Sequence, residues 1–376
     1  MKRIKLGLGF ALSSLVINTA IANEIPHQQP STASVDYKVE LVAKDVRVVW
    51  SILFLPGDRV LFAERPGRIR VIDKGVLSEK PLLTLDDVDA TGKLGALGMT
   101  LHPNFRRNHF LYLAYSYKHD NDPRVRIVRY RETKNGLVEP KTIIEDIPAW
   151  TNHAGCRLRF GRDGKLYATT GDADKPPLAQ DLNSLAGKML RLNEDGTIPK
   201  DNPFVGQDGK RPEIWSYGHR NSQGFDFQPG TGILYETEHG PVGGDELNII
   251  EKGKNYGWPI THHELTNSAM ESPLVYYGVP SPAPGSSMFY RGNAFPQFKN
   301  DLLVGCLRGE CILHYKLDGH KVVSQERLLE HQYGRIREVA EAPDGSIYFS
   351  TSMFDPPEAN GKEGYDQILR LVPIKK

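Results

Sequence analysis

The chain has 376 residues, with 47 Lys and Arg against 46 Asp and Glu, 36 Gly, 26 Pro and only 3 Cys. A hydrophobic share of 39% and a charged share of 25% rule out a disordered chain and provide for a buried core. Near-neutral charge without a basic block argues against nucleic acid as a partner, three Cys without C-x-x-C argue against a disulfide scaffold or zinc finger, and the Gly and Pro content argues against a helical bundle.

Residues 1–22 (MKRIKLGLGFALSSLVINTAIA) set Lys2, Arg3 and Lys5 before an apolar stretch from Leu6 to Ile17, with Ala20 and Ala22 preceding Asn23 at −3 and −1. This is the layout of a secretory signal peptide, and its apolar stretch is short beside the ~20 residues of a membrane span. The sequence therefore predicts an exported protein, periplasmic in a Gram-negative source, without stable membrane insertion. A polar leader over 23–36 precedes the folded domain, expected over 37–374.

A turn followed by an apolar and aromatic strand then recurs six times: PGDRVLFAER from Pro56, RRNHFLYLAYSY from Arg106, RDGKLYATTGD from Arg162, GTGILYETEHG from Gly230, FKNDLLVGC from Phe298 and PDGSIYFSTS from Pro343. Each is followed by a second alternating strand, at 67–73, 124–132, 187–196, 245–253, 311–319 and 366–374. Gly-rich and Asp-Gly turns beside alternating apolar residues are hairpin signals. Six such units of about 50–60 residues predict an all-β fold, a six-bladed β-propeller with four-stranded antiparallel blades. The connections within the pairs differ in length, being long at 173–186 and 353–365, and chemistry is expected where they crowd one mouth of the channel.

Signatures of hydrolases, zincins, P-loops and dinucleotide folds are missing. Four segments instead gather polar residues beside the repeats. TNHAGCRLRF (151–160) offers His153, either a structural donor or a base. EIWSYGHRNSQGFDF (213–227) carries His219, Arg220 and Asn221, the last two donors for a carboxylate or carbonyl, or a turn satisfied by its own side chains. EHGPVGGDELNIIEKGKNYGWP (238–259) joins tight turns to Asp245 and Glu246, and freed carbonyls beside carboxylates suit Ca²⁺, although an acidic loop reads the same way. YGRIREVAEAPDGSIYFS (333–350) sets Arg335 and Arg337 two apart, on one face of a strand; lining a channel, they would require an anion.

Taken together these segments resemble the soluble pyrroloquinoline quinone (PQQ)-dependent aldose sugar dehydrogenases of the glucose/sorbosone dehydrogenase family. The resemblance runs from about Tyr37 to Val372 and is strongest in GALGMTLHPNF (95–105), LRLNEDGTIPKDNPF (190–204), WSYGHRNSQGF (215–225), EHGPVGGDELNII (238–250) and KNYGWP (254–259). It implies a six-bladed propeller that oxidises the C1 hydroxyl of an aldose to a lactone by hydride transfer to PQQ, with the electrons passed on to an external acceptor such as a cytochrome or quinone. By position, His153 resembles the general base, and Arg220 and Asn221 resemble contacts near the reacting quinone, Arg220 with a share in catalysis. The backbone carbonyls of Gly240 and Pro241 resemble ligands of the Ca²⁺ that polarises the quinone, and Glu246 with the backbone of Tyr256 resembles a further Ca²⁺ site. Arg308, Arg335 and Arg337 fall where the family keeps basic residues for the PQQ carboxylates.

The chain also departs from the family pattern. Lys93 stands for a usual Gln near the cofactor, Arg308 for a Lys, Cys156 for a Gly, and Asn152 where an acidic residue or His is common. Asn152 is therefore expected to remove a carboxylate that could orient the base. Cys306 and Cys311 flank the turn Leu307–Glu310 and are expected to bond in an exported protein, leaving Cys156 as a buried odd thiol. Two other readings compete: a Ca²⁺-dependent propeller lactonase using His153 and metal-bound water, which has no need of the Arg308, Arg335 and Arg337 set, and a catalytically silent binding propeller, suggested by Lys93 and Asn152.

Overall fold

All six predicted pairs form antiparallel hairpins, and each occupies the middle of a blade. In the first blade, Arg59–Glu64 pairs with Arg68–Asp73 without a break from Arg59↔Asp73 to Glu64↔Arg68. In the fifth, Leu302–Cys306 pairs with Cys311–Asp318. The computed structural model describes residues 36–262, 265–353 and 366–374. The predicted signal peptide, nearly all of the leader, and most of the 353–365 connection lie outside them.

Each middle pair gains an inner strand before it and an outer strand after it, which gives six antiparallel sheets. The inner strands are Val49–Leu55, Ala96–Leu101, Gly155–Phe160, Ser222–Phe227, Pro284–Phe289 and Ile336–Glu341. Consecutive inner strands pack against one another, and Ile336–Glu341 returns to Val49–Leu55, so the ring closes. In the first blade the outer position is divided between Val76–Leu77 and Leu83–Thr84, both paired with Arg68–Asp73. The sixth blade takes its outer strand from the start of the domain: Tyr37–Val46 pairs with Asp366–Pro373 from Tyr37↔Pro373 to Val46↔Asp366. Backbone hydrogen bonds between the two chain ends thus close the circle.

The inner strands lack clean alternation because they converge on the axis. A Cβ on Gly98 would stand 2.5 Å from the Cys156 carbonyl oxygen, one on Gly224 2.6 Å from that of Gly285, and one on Gly285 2.4 Å from that of Arg337. Glycine in a strand here marks the approach of a neighbouring backbone. Between blades, apolar faces pack sheet on sheet. Leu97, Ala114, Ile127, Leu158, Leu166 and Leu190 fill the space between the second and third blades, and Leu303, Ile336, Val339, Phe349 and Leu369 that between the fifth and sixth. Among the described residues, helix is confined to the single turn Phe105–Asn108 and two 3₁₀ turns, and none is long and apolar enough to cross a membrane.

The expected disulfide is absent. Cys306 and Cys311 stand directly opposite each other, yet both are free thiols and fully buried. Burial and the adjoining Cys311 thiol push the Cys306 thiol well up, and Cys306 Sγ lies 3.6 Å from the Val304 carbonyl oxygen. The turn that presents Arg308 is fixed by backbone bonds instead: Leu307 N–H donates to Ala283 O, and Arg308 N–H and Gly309 N–H both donate to Pro282 O. Burial pushes the Cys156 thiol up to about 12. Thiol titration should accordingly find none of the three reactive in the native protein and three after denaturation; a count of one after denaturation would restore the 306–311 bond.

Candidate active site

The leading ends of the inner strands and the hairpin loops of the middle pairs meet at one mouth of the axial channel. There they enclose a cavity of about 310 Å³. Nine of the predicted residues line it: Lys93, His153, Arg220, Asn221, Gly240, Pro241, Arg308, Arg335 and Arg337. They come from five of the six blades and the approaches to their inner strands, which only ring closure brings together.

His153 precedes the third inner strand. Its Nδ1 lies 2.8 Å from Asp172 Oδ1 and 3.7 Å from Asp174 Oδ1. Asp172 is fully buried and held in turn, Oδ2 accepting the Trp258 indole N–H at 2.8 Å and Oδ1 the Asp174 backbone N–H at 2.9 Å. A carboxylate facing Nδ1 keeps the imidazole proton on that nitrogen, which leaves the Nε2 lone pair for the cavity. This corrects the expectation built on Asn152: the orienting carboxylate is present, at the end of the strand Leu166–Thr170. Gly171 makes room for the arrangement, since a Cβ there would stand 1.8 Å from the His153 carbonyl oxygen.

Much of the remaining lining is cationic. Lys93, Arg220, Arg308, Arg335 and Arg337 face the cavity, with Asp245 as the only lining carboxylate among the described residues. Arg337 is 3% exposed, lies 4.4 Å over the Trp50 ring and donates to Gln223 Oε1 at 3.3 Å. Burial, then Arg335, Arg65 and Arg157, push its pKa well down. Burial pushes Arg335 down to about 10, Arg308 adds to the shift, and the buried Nε of Arg335 has no hydrogen-bond partner. Arg220 donates Nη1–H to the carbonyls of His239 (3.0 Å) and Gly240 (2.8 Å) and lies 5.3 Å over the Trp258 ring, while its buried Nε is likewise unpartnered. His239 donates Nε2–H to Pro284 O, and burial and the neighbouring arginines push it down to about 3, so it adds no charge.

The loop 239–244 is tied down by Asp245, whose carboxylate accepts the backbone N–H groups of Gly240 and Ala283. Of the two carbonyls expected to bind a cation, that of Gly240 already accepts one hydrogen bond, from Arg220, and keeps one lone pair. Glu246 and Tyr256 do not line this cavity. Glu246 belongs to a separate group on the fourth blade with Glu236 and Glu238, in which the Asn248 side-chain N–H₂ reaches all three carboxylates at 3.1–3.2 Å. His219, Glu236 and Glu238 place ligand atoms within 4.8 Å of one another. Burial, then the neighbouring Glu238, raise Glu236 and Glu246 well above the carboxylate range. Tyr256 stacks on His219 with ring centroids 4.8 Å apart. Sequence reading missed Asp172, Trp258, Glu236 and Glu238; the alternation of Glu236 and Glu238 directly after the apolar Leu234 and Tyr235 was the available signal.

Comparisons with known proteins fit this arrangement. The chain is 35% identical to the aldose sugar dehydrogenase YliI of Escherichia coli (strain K12), over 89% of this chain and 92% of that protein. The soluble aldose sugar dehydrogenase from Escherichia coli in its apo-form superposes with a TM-score of 0.82 at 33% identity, covering 90% of this chain and 100% of that one. The PQQ-bound aldose sugar dehydrogenase from Streptomyces coelicolor gives 0.78 at 30% identity, over 90% and 99%. The sequence profile of the Glucose / Sorbosone dehydrogenase family matches residues 46–361, and the chain belongs to that family.

Proposed function

We propose that the protein is an exported PQQ- and Ca²⁺-dependent dehydrogenase that oxidises the C1 hydroxyl of aldose sugars to lactones. The observation that carries this reading is the cavity itself, where five cationic side chains and one carboxylate stand beside a histidine whose Nδ1 is held by a buried aspartate.

The residues present fit the cofactor. PQQ carries three carboxylates, and the unpartnered buried Nε groups of Arg220 and Arg335 are donors that an anion would satisfy. Arg337, Arg308 and Lys93 extend the same wall, and Asn221 adds an amide. The carbonyls of Gly240 and Pro241 offer hard oxygen ligands to Ca²⁺ beside it, and Glu246 with Glu236 and Glu238 and the Tyr256 backbone would hold a second, structural cation. When bound, PQQ supplies the two-electron acceptor and Ca²⁺ the Lewis acid.

The protein's own part is positional and basic. His153 Nε2 takes the proton of the sugar hydroxyl, and Asp172 stabilises the imidazolium that results. Arg220, fixed by two carbonyls, holds a positive charge where negative charge develops. A hydrolase would have no use for the arginine wall. Export rests on residues 1–22, and an external electron carrier completes the cycle.

Reconstitution tests the reading. Mature protein loaded with PQQ and Ca²⁺ should reduce a dye acceptor with an aldose as substrate, and chelation before loading should abolish turnover. Absence of both dye reduction and a PQQ absorption shift would refute it.

A further inference from the structure

Lys188 is a fully buried lysine that no part of the proposed reaction uses. Its ammonium meets no carboxylate. All three donors go to backbone carbonyls of the loop between the middle strands of the third blade: Leu178 O at 2.8 Å, Ala179 O at 3.0 Å and Ala186 O at 2.6 Å. Burial works to discharge this amine. An ammonium taken out of water is costly, and here three carbonyl hydrogen bonds are what offsets that cost.

That loop leads to the base. Gln180, next to Ala179, exchanges both amide hydrogen bonds with Asn255 (2.9 and 3.0 Å) and donates to the Trp258 carbonyl at 2.7 Å. Trp258 donates its indole N–H to Asp172, and Asp172 holds His153. At the loop's ends, Gly187 N–H donates to Gly171 O, and Asp172 N–H to Arg220 O.

We infer that Lys188 is a positioning residue for the catalytic base, an internal ammonium that gathers the 172–187 loop as a bound cation would and, through Gln180 and Trp258, fixes Asp172 against His153. This rests on His153 being the base, so the main readouts are taken without cofactor. Lys188→Met keeps the length and removes the three donors.

In the apo-protein, amides of 172–187 should then exchange at least ~10-fold faster, because the loop loses its anchor. The His153 imidazole, followed by ¹⁵N NMR, should lose Nδ1-protonated tautomer as its contact with Asp172 loosens. In the loaded enzyme kcat should fall about 10-fold or more, with KM and PQQ affinity within about 3-fold of wild type. Unchanged exchange, or faster exchange with unchanged His153 ¹⁵N shifts, overturns the inference. If Lys188→Met does not fold, Gln180→Leu cuts the same path at Trp258, and the same loss of the Nδ1-protonated His153 tautomer is expected; unchanged ¹⁵N shifts overturn the inference. Failure of wild type to bind PQQ would refute the proposed function while leaving both apo readouts intact.

Discussion

His153→Ala should lower kcat by about 10²–10⁴ while leaving PQQ affinity within a few-fold, because it removes the proposed base and none of the cationic lining. Asp172→Asn should cost about 10² or more by a different route. An Asn amide can donate to Nδ1, which moves the imidazole proton to Nε2 and removes the lone pair that faces the cavity. The two variants thus differ in chemistry and agree in outcome, and neither replaces a residue proposed to hold the cofactor. Absorbance titration with PQQ and dye-linked turnover measure the two quantities separately. Unchanged turnover in His153→Ala would mean that another group takes the proton. A normal rate in Asp172→Asn, with His153→Ala inactive, would show that the histidine needs no orienting carboxylate.

How much of this was legible in sequence follows from what each residue's neighbours are. The middle strands of the blades read clearly because the first of each pair is a short apolar run after a turn, buried on both faces, as in Leu166–Thr170 and Ile347–Thr351, and the second alternates, as in Arg68–Asp73. Inner strands such as Ser222–Phe227 crowd other backbones at the axis, so glycine and polar residues replace alternation. The outer strand Tyr37–Val46 lay at the far end of the chain from the blade it completes, and only ring closure reveals the pairing.

The site divides in the same way. His153 and the arginines were visible because charged residues beside apolar strands stand out. Asp172 was within a quoted repeat, yet nothing local pairs it with a histidine 19 positions earlier across two strands. Asn152 drew attention for the opposite reason: sequence proximity suggested a missing partner that the fold supplies from elsewhere. The loops 173–186 and 262–285 carry the least pattern, so the identity of the sugar is not legible in them.

The second large effect is expected at Arg335, and it has two opposite signs. Burial and the nearby Arg308 push the Arg335 guanidinium down to about 10, so in the apo-protein its charged form is held against a cost. With the folded pKa below the unfolded one, the unfolded chain binds the proton more tightly, and the cost is present through the neutral range and relieved only as pH rises through about 10. Arg335→Gln should therefore leave the apo-protein at least as stable as wild type at pH 7. The same variant loses a charge-assisted donor to PQQ, which is worth about 1.5–3 kcal/mol, so affinity should fall roughly 10- to 100-fold. Arg308→Gln makes the control: Arg308 is exposed, its charge is screened within about 8 Å at physiological salt, and its loss should matter less and diminish as salt is raised. Thermal melts of the apo-proteins and PQQ titrations at two ionic strengths read both signs. A destabilised apo variant with unchanged PQQ affinity would show that Arg335 serves the fold rather than the cofactor.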